Sequence, residues 1–158
     1  MLFRSAELNE GPHKVLLVKP ETFMNQSGQA VRQVLDFYQA PRADLLVVCD
    51  DINLPPGRLR VRKRGSHGGH NGLRSIQEHL GTTEYPRLRI GVGVPEGEDP
   101  VEYVLGDFRA SERGVIDEAV ATAAQAVGVW THRGIDACMN QYNAPGKIGQ
   151  EEVDQENG

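Results

Sequence analysis

One fifteen-residue stretch, RLRVRKRGSHGGHNG from Arg58 to Gly72, combines side chains that could hold a phosphate with side chains that could position a reacting group. Four arginines alternate with other residues along it: Arg58, Arg60, Arg62 and Arg64. A β-strand would place all four on one face, and the planar guanidinium suits two-pronged binding of phosphate. The glycines that follow permit sharp turns before the polar pair His70 and Asn71, where a helix is predicted to start. The stretch therefore predicts a phosphate-binding face beside a polar site, and a solvated strand edge is the alternative.

Neutral amides and carboxylates occur next to other predicted element ends. Asn25 and Asn71 each lie in a turn near a predicted helix start, where an amide can donate to an oxyanion and accept from a water. Asp50 and Asp51 end an apolar strand, and adjacent residues of an extended chain point in opposite directions. We expect one carboxylate to face a site and orient a histidine, and the other to be a solvated turn residue. A helix or turn cap is the alternative role for both.

Other chemistries fit less well. The glycine turn has neither the GxxxxGK[ST] pattern nor the GxGxxG spacing of nucleotide-binding loops, and no GxSxG serine-hydrolase elbow occurs. His67 and His70 lack a third ligand nearby, so hydrogen-bonded loop histidines are favoured over a metal site. The sequence predicts no metal and no cofactor.

The periodicity predicts the elements that must position these residues. Strands are expected at Lys14–Val18, at Leu45–Cys49 as a central strand covered on both faces, in the basic stretch, and at Arg87–Gly93. Helices are expected from an N-cap at Ser27 to Ala40, from Gly72 to Leu80, from a cap at Ser111 to about His132, and from Ile135 to Tyr142. Val101–Leu105 is an apolar segment of open type. These elements predict a single α/β domain with a mixed twisted sheet flanked by helices.

The composition limits the class of protein. With 158 residues, 39% hydrophobic and 25% charged, the chain is typical of one soluble globular domain. A formal net charge of -5 argues against nonspecific coating of nucleic acid. Only two cysteines, Cys49 and Cys138, no signal peptide and no transmembrane run predict a reduced, cytoplasmic protein without a membrane contact. Residues 147–158 are predicted to form a disordered acidic tail.

Three segments occur in order along the chain: KPETFMNQSG, CDDINLPPGRLRVRKRGSHGGHNGLRSI and YPRLRIGVGVP. Together they resemble the bacterial-type peptidyl-tRNA hydrolase family, over about Lys14 to Tyr142. The resemblance implies a monomeric, cytoplasmic α/β protein, with residues 1–146 as its domain, that cleaves the ester joining a stranded peptide to tRNA. It implies no cofactor, and peptidyl-tRNA as the partner, bound through its acceptor end and its 5′-phosphate.

Catalytic roles follow from the resemblance. Asn25 and Asn71 resemble the amides that position substrate and water, and Asp50 resembles the carboxylate that orients and stabilises a base histidine. That histidine would activate a water to attack the ester carbonyl, while amide donors stabilise the oxyanion.

Binding roles follow in the same way. Phe23 and Met24 resemble residues that line the substrate cleft, and His70 resembles a residue that contacts the substrate near the end of the tRNA. Arg62 and Arg89 resemble a clamp on the tRNA 5′-phosphate.

One motif of the family does not occur. Members open with a strand, a GNPGxxYxxTRHN segment that supplies the base histidine, and a helix; this sequence contains no such segment. We therefore expect the first strand and helix to be missing and Met1–Pro12 to be only a link. His13, His67, His79 and His132 match no catalytic position. Two hypotheses follow: an N-terminally truncated hydrolase, favoured because Asn25, Asp50 and Asn71 are retained together, or a shortened homologue that binds tRNA or RNA without catalysis.

Overall fold

The computed structural model describes residues 2–93 and 110–143. Within these residues the strands are β1 Phe3–Glu10, β2 His13–Pro20, β3 Val47–Asp51, β4 Leu59–Arg62 and β5 Arg87–Gly91. The helices are α1 Ser27–Tyr38, α2 Asn71–Leu80, α3 Ala110–Arg133 and α4 Ile135–Tyr142, with short 3₁₀ turns at Met24–Gln26 and Arg42–Asp44. The mixed α/β prediction is confirmed. The predicted Val101–Leu105 segment and the tail at 147–158 lie outside the described residues.

The chain divides into two compact units that interleave in sequence. The first unit joins Met1–Val47 to Lys63–Arg87, and the second joins Val48–Arg62 to the described residues from Leu88 onward. The first unit contains β1, β2, α1 and α2, and the second contains most of β3 and β5 together with β4, α3 and α4.

The first unit opens with a β-hairpin. β1 and β2 pair antiparallel from Phe3 opposite Pro20 to Glu10 opposite His13, so the connection is the two-residue turn Gly11-Pro12. Gly11 has a φ of 60°, which glycine adopts without a Cβ clash and which suits a tight hairpin turn. The expectation of a missing first strand is therefore not supported, because residues interpreted as a link form a strand. Apolar and polar residues alternate only weakly in FRSAELNE, so the sequence pattern did not predict a strand. The segment is a strand because it pairs with β2.

The two helices of the first unit pack at a glycine. Gly28, near the start of α1, donates its backbone N–H to Ser75 Oγ of α2 at 2.9 Å. The buried face of α1 includes Ala30 and Val31, and that of α2 includes Leu73 and Ile76. α1 begins at Ser27 with Gln26 as its N-cap, so Ser27 is not the cap that the sequence predicted. α2 ends as predicted, with Gly81 in the left-handed conformation.

Gly28→Ala is expected to lower the free energy of unfolding by about 1–3 kcal/mol, the usual cost of overpacking. A Cβ there would lie 2.2 Å from the backbone oxygen of Ser75, and a backbone atom cannot turn aside. Urea unfolding measures the change. Gly114→Ala is the matched control, because a Cβ at Gly114 of α3 would meet nothing within 4 Å; it should be neutral or stabilising. Equal effects of both variants would contradict the prediction.

The second unit is built on a three-stranded sheet in the order β3-β5-β4. Val92 N–H donates to the Asp51 oxygen beside β3, and Val47 N–H donates to the Pro86 oxygen, so β3 and β5 run parallel. Gly57 N–H donates to the Gly91 oxygen and Gly65 N–H to the Thr83 oxygen, so β4 and β5 run antiparallel. The sheet is thus mixed, as predicted.

β3 differs from its prediction as a central strand covered on both faces. The strand lies at one edge of the three-stranded sheet, and Val48 is 49% exposed. A continuous apolar run records hydrophobicity and cannot specify a strand's position in the sheet.

The helices of the second unit pack through small side chains. Ile116, Ala119, Ala123 and Ala126 form the buried stripe of α3, and Cys138 of α4 donates its thiol to the Ala126 oxygen at 3.4 Å. α3 begins at Ala110, one residue before the predicted Ser111 cap. Among the described residues, no helix is both long enough and apolar enough to cross a bilayer.

Candidate functional site

Phe23, Met24 and Asn25 lie at the turn that leads into α1. The 3₁₀ turn Met24–Gln26 exposes Phe23 (81%) and Met24 (56%), and the Asn25 side chain is also exposed. Ser27 Oγ donates to the Met24 oxygen at 2.7 Å, which fixes the turn against the helix. The three residues lie at the surface, as predicted. Exposed apolar side chains of this size suit contact with a ligand.

The start of α2 lies against the same turn. A Cβ at Gly72 would come 2.7 Å from Met24 Sδ, so the Met24 side chain packs directly against the backbone of Gly72. The structure therefore brings Met24 to the helix end that carries His70 and Asn71. A helix N-terminus carries partial positive charge, which suits an anionic or oxyanionic group.

His70 is the N-cap of α2. Its Nδ1 accepts from the backbone N–H groups of Gly72 at 3.1 Å and Leu73 at 3.2 Å. Because Nδ1 accepts, the neutral ring carries its proton on Nε2 and can act as a donor there. Asn71 is the first residue of the helix and is exposed. A capping role for His70 was not predicted, since imidazole is an uncommon cap.

The glycine loop, which we define as Gly65–His70, is organised by local hydrogen bonds. Three of its glycines have positive φ, and His67 Nδ1 accepts from Gly69 N–H at 3.0 Å. His67 is thus a hydrogen-bonded loop histidine, as the sequence favoured. In the described part of the chain, no three His, Cys, Asp or Glu side chains form a group that could hold a metal ion.

The basic strand β4 lies in the second unit. Leu59 and Val61 are buried, whereas Arg60 and Arg62 are half-buried on the alternate positions. The Asn143 side chain accepts from the Val61 N–H at 2.8 Å and donates to the Val61 oxygen at 2.7 Å. It thus bonds the backbone of β4 between Arg60 and Arg62, as a neighbouring strand would. The predicted alternation is confirmed over β4.

Arg64 falls outside this arrangement. It lies beyond the end of β4, in the first unit, with its guanidinium 3.9 Å from the Glu84 carboxylate. The prediction of four arginines on one strand face is therefore wrong: β4 spans only Leu59–Arg62, so Arg60 and Arg62 lie on it while Arg58 and Arg64 lie outside it.

Asp51 is the acidic member of the basic region. Its Oδ1 accepts from Asn53 N–H at 2.8 Å, and its Oδ2 lies 3.5 Å from Arg89 Nη1. The Asp51 and Arg89 side chains are only 4% and 12% exposed. The expectation that the second aspartate is solvated is wrong, because Asp51 is buried beside the mostly buried Arg89 of β5. The alternative role of Asp51 as a turn cap is confirmed.

The charges in this region act on one another. Burial first, and then the neighbouring Arg62, lower the pKa of Arg60, while Asp51 acts in the opposite direction. Arg89 and Arg58 also lower it. We call Arg58, Arg60, Arg62 and Arg89 the arginine cluster, because the other three each act electrostatically on Arg60. Guanidinium groups this close together suit an anion such as phosphate.

Asp50 is half-buried at the end of β3, one residue before the buried Asp51. The different burial of these neighbours agrees with opposite side-chain directions along a strand. Asp50 and the arginine cluster belong to the second unit, whereas Asn25, His70 and Asn71 belong to the first. Cys138 is not activated as a nucleophile, because burial raises the pKa of its thiol.

A family model described as peptidyl-tRNA hydrolase matches residues 2–151. The chain belongs to the peptidyl-tRNA hydrolase family. A curated relative, the peptidyl-tRNA hydrolase of Synechococcus sp. (strain JA-3-3Ab), is 49% identical over 140 residues, which cover 88% of this chain and 62% of the relative. That of Syntrophomonas wolfei is 49% identical over 130 residues, covering 82% and 70%. The crystal structure of peptidyl-tRNA hydrolase from Acinetobacter baumannii matches with a TM-score of 0.82 and 37% identity, covering 90% and 73%.

These matches bear on the N-terminal expectation. The family match begins at residue 2 and extends over nearly the whole chain, so it does not support a missing N-terminal segment. The chain spans 62% of the length of the Synechococcus relative. The resemblance inferred from the three sequence segments is confirmed at the level of the family.

Proposed function

We propose that this protein hydrolyses the ester bond of peptidyl-tRNA, releasing the peptide and recycling the tRNA. The observation that carries the proposal is the family match over residues 2–151, which includes Asn25, Asp50 and Asn71, the residues to which the resemblance assigns catalytic roles. Their surroundings support these roles: Asn71 lies exposed at a helix N-terminus, and Asp50 is the penultimate residue of β3.

Each unit offers a group of residues that suits one part of the substrate. Asn71 and the exposed turn with Phe23 and Met24 suit the ester and the terminal nucleotide, and Nε2–H of His70 can donate to a substrate oxygen. The arginine cluster suits the tRNA 5′-phosphate, since guanidinium groups form strong charge-assisted bonds to phosphate. The small size of this cluster and a net charge of -5 favour recognition of one tRNA end over coating of a duplex.

The reaction requires a base. A histidine oriented by Asp50 would take a proton from water, and the water oxygen would attack the ester carbonyl carbon. The oxyanion would be stabilised by the amide of Asn71 or Asn25, and the ribose oxygen would leave with a proton. None of the five histidines in the sequence occupies the position that the resemblance gives to this base.

The 158-residue chain alone is therefore expected to release N-acetyl-amino acid from N-acetylaminoacyl-tRNA about 10²- to 10⁴-fold more slowly than the Acinetobacter baumannii relative, the usual contribution of a general base. Release of labelled N-acetyl-amino acid at equal protein concentration measures the ratio. Turnover equal to that of the relative would show that one of residues 1–158 supplies the base.

We also propose a monomeric, cytoplasmic protein, which ultracentrifugation and cell fractionation would test. A binding protein without catalysis is the second candidate, and retained affinity for the tRNA end without any hydrolysis would favour it. A small-molecule esterase would instead cleave simple esters and would be indifferent to Arg62.

A further inference from the structure

The guanidinium of Arg87 is a buried anchor at the first residue of β5. The residue is only 1% exposed, and its guanidinium carbon lies 4.0 Å from the centre of the Tyr85 ring, which is itself 1% exposed. A buried cation is costly unless hydrogen bonds and nearby π electrons replace its hydration. The groups that accept hydrogen bonds from Arg87 are therefore held firmly in place.

The partners of Arg87 belong to two loops of the first unit. Nη1 donates to the Gly65 oxygen at 2.7 Å and the Ser66 oxygen at 3.3 Å. Nη2 donates to the Thr83 oxygen at 2.6 Å. The planar fork thus ties the start of the glycine loop to the segment before β5, a geometry that the single ammonium of lysine cannot reproduce.

Tyr85, whose ring packs against Arg87, binds the chain on the other side of His70 and Asn71, at the start of α2. Tyr85 Oη donates to the Leu73 oxygen at 3.3 Å, in the first turn of α2. Leu73 N–H is one of the two donors that His70 caps. His70 and Asn71 therefore lie on a short segment whose two ends are both bound to the Arg87–Tyr85 pair.

We propose that Arg87, with Tyr85, is a positioning residue for the reaction: it fixes the glycine loop so that His70 and Asn71 meet the substrate in one geometry. Flexible glycines at Gly65, Gly68 and Gly69 would otherwise leave this segment many conformations. Arg87 itself is buried and acts only through the loop. The inference rests on the proposed function.

The test compares Arg87→Lys with wild type by two measurements. We expect Arg87→Lys to weaken affinity for N-acetylaminoacyl-tRNA about tenfold in the wild-type background and about threefold in an Asn71→Ala background, where only His70 remains to be positioned. Amide exchange at Gly72 and Leu73, whose N–H groups His70 caps, should become at least tenfold faster. Tyr85→Phe, which removes only the hydroxyl bond to Leu73, should change both quantities in the same direction by a smaller factor.

Cys138→Ala is the control for general destabilisation, because Cys138 is buried in the second unit. It should leave affinity and the exchange of both amides within about twofold. Equal losses of affinity from Arg87→Lys in the two backgrounds, or unchanged exchange at Gly72 and Leu73, would overturn the inference. If the wild-type chain does not bind the substrate, the proposed function fails, while the exchange rates still show whether Arg87 fixes the loop.

Discussion

Arg62→Ala is expected to weaken binding of 5′-phosphorylated tRNA about 10- to 100-fold, while affinity for dephosphorylated tRNA changes less than about threefold. A charge-assisted hydrogen bond contributes about 1.5–3 kcal/mol, and 1.4 kcal/mol corresponds to a tenfold change. Arg62 lies half-buried on the outer side of β4, beside Arg60. Equilibrium binding of the two tRNA forms at fixed salt measures the effect.

Arg64→Ala is the matched control for Arg62→Ala. It removes one positive charge from the same stretch, but Arg64 lies beyond β4 and beside Glu84. We expect it to weaken both tRNA forms equally, by less than about threefold. Equal loss on both forms for Arg62→Ala as well would indicate a generic basic face and would contradict a phosphate clamp.

Arg89→Ala is expected to lower the free energy of unfolding by about 3–5 kcal/mol, the typical cost of breaking a buried ion pair. The substitution leaves the Asp51 carboxylate, which is 4% exposed, without the guanidinium 3.5 Å away. Asp51 also holds the turn through Asn53, so the damage should extend to the end of β3. Urea unfolding measures the loss.

The control replaces both charges. Asp51→Asn combined with Arg89→Met should recover at least half of the lost stability, because no buried charge then remains unpaired and the Asn53 bond can persist. A loss below about 1 kcal/mol for Arg89→Ala alone would contradict the buried pair. The result also matters for function. A loss of tRNA binding in Arg89→Ala would combine the loss of a phosphate contact with the loss of folded protein.

Much of the local structure could be predicted from the sequence. Period-2 alternation located the basic strand, because Leu59 and Val61 had to point inward. The Gly81 stop of α2 followed from the need for a left-handed residue. Three segments in order were enough to identify the family, because many residues constrained together are far more specific than one short motif.

Features set by distant contacts could not be predicted. The edge position of β3 depends on which strand pairs with it, and the burial of Asp51 depends on Arg89, 38 positions later in the numbering. In the sequence Arg87 looks like any other arginine on a strand. In the structure it is a buried anchor, because it donates to backbone oxygens of two loops. The amide of Asn143 meets Val61 through contacts that no local pattern reveals.

The central claim, that the chain acts on the ester of peptidyl-tRNA, is tested most directly by single-turnover hydrolysis of N-acetylaminoacyl-tRNA with protein in excess and imidazole added as a base. We predict that wild type releases N-acetyl-amino acid faster than the protein-free imidazole control. Asn71→Ala should be at least tenfold slower than wild type, because an amide that stabilises the oxyanion is lost. Release equal to the protein-free control at every imidazole concentration would contradict the account.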